Sequence, residues 1–301
     1  RARARHATLL LKAGTMAASI DLAELQTWVG RTEEAEDWIT PQMTRGLRAV
    51  LDQDPGEPRP GDPAPPGIHW CLAPPTAPMS ALGQDGHPAR GGFLPPVPLP
   101  RRMWAGGELE FLDRLLVGDR VLRRSRIESV ELKQGRSGAL CFVAVRHELS
   151  TGRGAAIRER HDIVYREAAP PAAPASPAPP PALPEAEASR TIQASPVLLF
   201  RYSALTFNGH RIHYDRRYCQ EEEHYPGLVV HGPLQATLLL DLAQDLSGRQ
   251  PLRSFRFRGV PPLFDGAPFS VNGRRSGTQR LELWAADATS RQAMAAEATF
   301  A

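Results

Sequence analysis

Between Gly107 and Lys133 the sequence GELEFLDRLLVGDRVLRRSRIESVELK alternates apolar and polar residues, broken by Gly118-Asp119. A period of two predicts two strands joined by a turn. GALCFVAVRHEL and RGAAIRERHDIVYRE continue the alternation through residues 138–167, with a hairpin turn at Thr151-Gly152. Upstream, Ile20 to Val29 predicts a short helix. Thr40-Pro41 has the form of an N-cap followed by proline at the first helical position, opening a helix through about Asp52. The second half repeats this order. VLLFRYSALTFN, residues 197–208, predicts a strand at its start, and a loop carrying His210, His213 and Asp215 follows. GPLQATLLLDLAQDLSG predicts a largely apolar helix, with Gly232 as its cap, Pro233 in its first turn and Gly248 past its end. LRSFRFRGVPPLF, PFSVNGRRSG and QRLELWAADA predict three further strands.

A helix followed by a long antiparallel sheet, twice over, is an α+β pattern. One helix wrapped by such a sheet is the hot-dog arrangement, and two copies in one chain form a pseudo-dimer. Proline divides the copies. Of 30 prolines, nine lie between Pro170 and Pro196, where the sequence has almost no large apolar side chain and cannot bury enough surface to fold. Residues 168–190 are therefore expected to link an N-terminal hot-dog domain, 16–167, to a C-terminal one, 191–301. Fourteen prolines between Pro55 and Pro100 are interleaved with Trp70, Phe93, Leu94, Val97, Leu99, Met103 and Trp104 near and within that stretch. That composition predicts an ordered loop laid over a surface, and long ordered loops are often functional.

Net charge changes little in this picture. The formal +3 comes from Arg1, Arg3, Arg5 and Lys12, a leader without acids, and the rest is close to neutral. No nucleic-acid footprint is present, and no apolar run is long enough to cross a membrane. Residues 1–15 read either as a transit-like segment or as translated sequence upstream of a start at Met16, the favoured reading, and lie outside the fold. Cys71, Cys141 and Cys219 are too few and scattered for a disulfide framework or a zinc site, and fit reduced thiols in a reducing compartment. A bacterial cytoplasmic location is expected, with a mitochondrial one open.

Candidate chemistry concentrates between Ser203 and Ala243. Four of the nine histidines, His210, His213, His224 and His231, fall there, together with Asn208 and Asp215. An ordinary polar loop is one reading. A metal site is disfavoured, because the spacing lies on a loop rather than on a helix face.

The segment FRYSALTFN-x-HRIHYD, followed by GLVVHG, resembles the active-site segment of the MaoC-like, R-specific enoyl-CoA hydratase family. The wider chain, including GGFLPPVPLPRRMWAGGELEFL, is similar to the double hot-dog FAS1-like dehydratases within it. The resemblance implies a double hot-dog fold and a hydro-lyase acting on an α,β-unsaturated acyl-CoA thioester, with no metal or redox cofactor. The substrate implied is a mesaconyl-CoA-type C5 dicarboxylic thioester, giving citramalyl-CoA. It casts His213 as the catalytic histidine, with Gly232 at the helix start supplying an oxyanion N–H. One departure stands out: the position five residues before the histidine, where the family carries its general-base aspartate, is Asn208. An amide cannot take a proton from water. Asn208 would orient the water, while His210 or Asp215 shares the proton work or His213 does it alone. His210, Asp215 and His231 belong to the substrate-binding set. Arg211, Arg101 and Arg102 are candidates to pair with a substrate carboxylate. Tyr202, Ser203, Trp70 and Trp104 read more readily as structural than as ligand contacts.

Two other enzyme readings and one binding reading compete. A 3-hydroxyacyl-thioester dehydratase of fatty-acid synthesis would use the same residues. Thioester hydrolysis is disfavoured because no acid precedes Asp241 on the helix. A non-catalytic acyl-CoA-binding protein that has lost its base fits Asn208. Two such chains could still associate as a homodimer.

Overall fold

The computed structural model describes residues 20–135, 138–167 and 182–301. The leader and most of the expected linker lie outside these residues. The described residues form five α-helices and ten strands: α1 (Leu22–Gln26), β1 (Thr32–Trp38), α2 (Pro41–Val50), β2 (Arg101–Phe111), β3 (Arg120–Gly135), β4 (Gly138–Thr151), β5 (Gly154–Arg166), β6 (Ala188–Gln193), α3 (Pro196–Leu205), α4 (Arg216–Glu221), α5 (Gly232–Leu246), β7 (Leu252–Gly259), β8 (Pro268–Gly277), β9 (Arg280–Asp287) and β10 (Gln292–Phe300). All ten strands form one antiparallel sheet in the order β1-β3-β4-β5-β2-β7-β10-β9-β8-β6.

The first five strands belong to one half and the last five to the other, and they meet where β2 pairs with β7. That junction needs glycine. A Cβ on Gly106 would lie 2.6 Å from the Phe257 carbonyl oxygen, and one on Gly107 would lie 2.8 Å from the Phe257 ring. The helix α5 is buried nearly all round by Leu234, Ala236, Leu238, Leu239, Leu240, Leu242 and Ala243, as a helix at the centre of a core must be. It packs chiefly against β8, β9, β10 and β7. This is the double hot-dog fold, and in the first half the short helix α2 packs against α3.

Local signals account for the elements that matched. The Thr40 hydroxyl accepts from the Met43 N–H at 3.0 Å and Pro41 opens α2, as its cap signal predicts. The proline-rich stretch is ordered, with short 3₁₀ turns at Ile68–Cys71 and Met79–Ala81. All three cysteines are free and buried, and burial pushes Cys71 up to about 12 and Cys141 and Cys219 up to about 11.

Several expectations are corrected. VLLFRYSALTFN is not a strand. Ser195 caps α3 by accepting from the Leu198 N–H, Pro196 follows at its first position, and Leu199, Tyr202 and Ser203 form its buried stripe. Its outer face is also apolar, with Val197 and Phe200 about 65% and 64% exposed, so the helical period was hidden. The α5 cap is His231, whose backbone is non-helical, and Gly232 is the first helical residue. Three strands carried no clear sequence signal. Edge strand β1 is acidic, with Glu33, Glu34, Glu36 and Asp37 among its seven residues, and carries the ion pairs Glu34–Arg124 and Glu36–Arg120 to β3; β10 is alanine-rich; and β6 starts at Ala188, inside the stretch expected to be linker.

Candidate active site

A cavity of about 770 Å³ opens where the two halves meet. The second half lines it with Asn208, His210, His213 and Gly232. The first half contributes His87, Arg102, Trp104 and Tyr165. The proline-rich stretch forms part of the wall through Phe93, Leu94 and Pro95.

The end of α3 sets Asn208 in place. Phe207 adopts a left-handed φ of 50° beyond the helix, and the Asn208 N–H bonds back to the Ser203 carbonyl at 2.8 Å. That is a Schellman-type stop. The Asn208 Oδ1 then accepts from the His210 N–H at 3.0 Å, so its amide –NH₂ is the end left for a ligand.

His213 follows on a 3₁₀ turn and is 7% exposed. Its Nδ1–H donates to the Val229 carbonyl at 2.7 Å. A carbonyl only accepts, so Nδ1 carries the proton and Nε2 keeps a free lone pair. Burial pushes the imidazole down to about 4, against the Val229 bond and with help from nearby His87, so it is neutral at physiological pH, with Nε2 free to accept. His213 stacks on His231 at 3.5 Å between ring centroids and an interplanar angle of 17°. His231 is fully buried and bonded through Nε2 to the Ser203 hydroxyl at 2.8 Å. The pair thus sits against the start of α5, where the first N–H groups of a helix have no partner within it and the peptide dipoles favour negative charge. Gly232 leaves that end open towards Trp104.

The first half ties itself to this segment with a strap, residues 83–89. The Arg211 N–H donates to the Asp85 carbonyl at 2.9 Å and its Nη1 to the Gln84 carbonyl at 3.1 Å. Gly86, at φ +84°, lies so close to Gly209 that a Cβ would sit 2.0 Å from the Gly209 carbonyl oxygen. A Gly86→Ala chain is therefore expected to lift the strap, lowering Tm by roughly 5 °C and the activity of the site at least tenfold. Gly152→Ala, where nothing lies within 4 Å, is the matched control for thermal melts.

The sequence-selected residues divide. Asn208, His210, His213, Gly232 and Arg102 line the cavity; Arg211, Asp215, His231 and Arg101 do not. Arg211 grips Asp215 at 2.8 Å and lies over Tyr218, while Asp215 caps α4 by accepting from the Tyr218 N–H at 3.0 Å. Arg101 is buried in an ion pair with Glu223 at 2.9 Å, joining the halves. Among the cavity's arginines, Arg90 donates to the Val97 and Pro100 carbonyls and Arg123 to those of Leu72 and Ala73. Among the described residues, no carboxylate lies within ion-pair distance of Arg102. On α5, Asp241 is far along the helix and bonds Arg190 and Gln53, so no acid stands at the helix start.

Sequence reasoning missed Asp85 and His87, which lie over a hundred residues from the histidine motif and come to it only through the strap. The donor atoms of Asp85, His87 and His210 all lie within 4.8 Å of one another, close enough to grip a metal ion. Trp104 was read as structural, yet it faces the cavity. Its neighbour Trp70 packs edge-on against it and is fixed by an N–H···O bond of 2.6 Å to buried Glu159. Burial alone would raise the Glu159 carboxyl, but His161 and His69 hold it well below the ordinary range.

The sequence comparisons give the family. The pattern of hydroxyacyl-thioester dehydratase type 2 matches residues 67–265, and the chain belongs to that family. Over 261 residues it is 46% identical to mesaconyl-C(4)-CoA hydratase of Chloroflexus aurantiacus, spanning 87% of this chain and 92% of that protein. It is 26% identical to the mitochondrial hydroxyacyl-thioester dehydratase type 2 of Schizosaccharomyces pombe, over 74% of this chain and 81% of the relative. Among solved structures, a MaoC-like dehydratase from Phytophthora capsici aligns with a TM-score of 0.67 at 14% identity, over 94% of this chain and 99% of its own. A Mycobacterium tuberculosis protein described as having a double hotdog fold aligns at 0.54 and 13% identity, over 90% and 96%. Both likenesses bear on the fold alone.

Proposed function

We propose that the protein reversibly adds water to an α,β-unsaturated acyl-CoA thioester, of the branched C5 dicarboxylic type exemplified by mesaconyl-C4-CoA. The observation that carries this reading is the free Nε2 of neutral His213 next to the open N-terminus of α5, in a cavity that also holds an arginine without a carboxylate partner. Water gives a proton to His213 Nε2 as its oxygen bonds to the β-carbon. The π electrons of the double bond move through the α-carbon onto the thioester oxygen, where the Gly232 N–H stabilises the enolate. The imidazolium then returns its proton to the α-carbon. The conjugated thioester is itself the electron sink. Dehydration runs the same steps backwards.

Arg102 is the residue that reads the free carboxylate of the acyl group. It lines the cavity and offers a planar fork of donors. Arg211, Arg101 and Asp215 hold the site's scaffold. The compartment proposed is the bacterial cytoplasm.

The pH dependence follows from the site. His213 must be neutral to act as base, and its burial first, then His87 nearby, disfavour a positive charge on it. Hydration is expected to stay level as the pH falls from neutral and to drop through about 4. A half-loss near 6.5, the ordinary histidine value, would place the base elsewhere. The same burial depresses His87, His147, His210 and His231. The unfolded chain then protonates first, so stability is full above the ordinary histidine range and declines as the pH falls below it.

The reaction type is tested by incubating mesaconyl-CoA with the protein in heavy-oxygen water. The product expected is heavier by one labelled water and still a thioester. Release of free CoA with labelled acid would make the protein a thioesterase instead.

A further inference from the structure

Hydration needs a water molecule with its lone pair aimed at the β-carbon. One acceptor cannot do this, because a water held by a single hydrogen bond still rotates about it. His213 Nε2 supplies one acceptor. Asn208 Oδ1 is already held by the His210 N–H, which fixes the side chain with its –NH₂ as the fully free end, a donor. The second half thus presents a base and a donor; its other cavity-lining imidazole, His210, makes no ring hydrogen bond among the described residues, so an acceptor with a fixed tautomer is missing.

The strap brings one. His87 lines the cavity together with Asn208, His210 and His213. Its ring lies 4.0 Å from that of His210, which in turn lies 5.4 Å from His213. The Asp85 carboxylate holds it twice: Oδ2 lies 3.0 Å from His87 Nδ1, and Oδ1 accepts from the His87 backbone N–H, also at 3.0 Å. As a carboxylate, Asp85 only accepts. The proton between them therefore belongs to Nδ1, and the His87 Nε2 is left as a bare acceptor. Asp85 and His87 do for that ring what the Val229 carbonyl does for His213: each fixes the tautomer with Nε2 free.

We propose that His87 is a catalytic residue supplied by the first half, and that its Nε2 accepts the second hydrogen of the nucleophilic water. The inference rests on the hydratase reading above. The water is gripped between His213 Nε2 and His87 Nε2, with its lone pair directed at the β-carbon. Only His213 takes a proton. It returns that proton to the α-carbon, so the His87–water bond passes intact to the new β-hydroxyl and no further acid or base is consumed. Asp85 is the positioning residue that fixes the His87 tautomer. The half without the histidine motif is, on this account, half of the active site.

An acceptor that never takes a proton can be replaced by an amide, whereas a base cannot. His87→Leu is expected to lower kcat for mesaconyl-CoA hydration about 100-fold, with KM within about threefold. His87→Gln, whose amide oxygen also accepts, is expected to recover to within about tenfold of the parent. His213→Gln should gain nothing over His213→Ala. Asp85→Ala is expected to lower kcat about tenfold, and Asp85→Asn, whose oxygen still accepts from Nδ1, to restore most of it. Should His87→Leu not fold, the His87→Gln and Asp85 pairs carry the test. Full activity in His87→Leu, or a His87→Gln chain as inactive as His87→Leu, would overturn the proposal. A parent protein that hydrates no enoyl-CoA would instead overturn the hydratase reading, before any variant is compared.

Discussion

Replacing His213 by alanine is expected to lower hydration by about 10³- to 10⁴-fold, while a saturated acyl-CoA still binds. The size of the loss follows from the role. In the proposed mechanism His213 Nε2 is both the acceptor of the water's proton and the donor to the α-carbon, whereas His87 only accepts a hydrogen bond. Binding survives because the thioester oxygen is held by the start of α5 and the rest of the molecule by the walls of the cavity. Isothermal titration with the saturated thioester, set beside turnover of the enoyl thioester, separates the two effects. Turnover within tenfold of the parent would remove His213 from the reaction.

The second large effect concerns specificity. Arg102→Ala is expected to raise KM for mesaconyl-CoA about 10- to 100-fold, the range of a charge-assisted hydrogen-bonded pair, and to change that for crotonyl-CoA by less than about threefold. Crotonyl-CoA has the same reacting atoms but no second carboxylate, so the comparison isolates the acyl end. Arg211→Ala is expected to affect both substrates alike, because Arg211 acts through Asp215 and the strap. Equal losses for both substrates in Arg102→Ala would assign Arg102 to CoA or to the scaffold.

Much of this was legible in the sequence, for physical reasons. The period-two runs gave the strands β2 to β5 because each buries one face. The α2 cap was visible because Thr40-Pro41 carries local chemistry. The histidine motif was visible because Asn208, His213 and Gly232 lie on one continuous segment. What escaped depends on contacts remote in sequence. The α3 helix hid behind an apolar outer face, although Ser195-Pro196 had the same cap chemistry as Thr40-Pro41 and would have revealed it. Strand β1 holds its place through its antiparallel ladder with β3, trimmed by exposed ion pairs, and no local apolar pattern encodes that. Arg211 and Arg102 are equivalent as letters; only the fold shows one gripped by Asp215 and the other facing the cavity. Asp85 and His87 sit in a loop whose backbone geometry makes sense only against Gly209, and the close Gly86–Gly209 contact is a tertiary event.

The central claim is hydration of a carboxylated enoyl thioester, and the most direct measurement is the ultraviolet band of the conjugated thioester. Purified protein is mixed in turn with mesaconyl-CoA, crotonyl-CoA and a long-chain enoyl-CoA. The account predicts rapid loss of the band with mesaconyl-CoA and far slower loss with the other two. Fastest loss with the long chain would move the protein to fatty-acyl chemistry, and no loss with any of them, despite measurable binding, would contradict the account outright and make the protein an acyl-CoA-binding module.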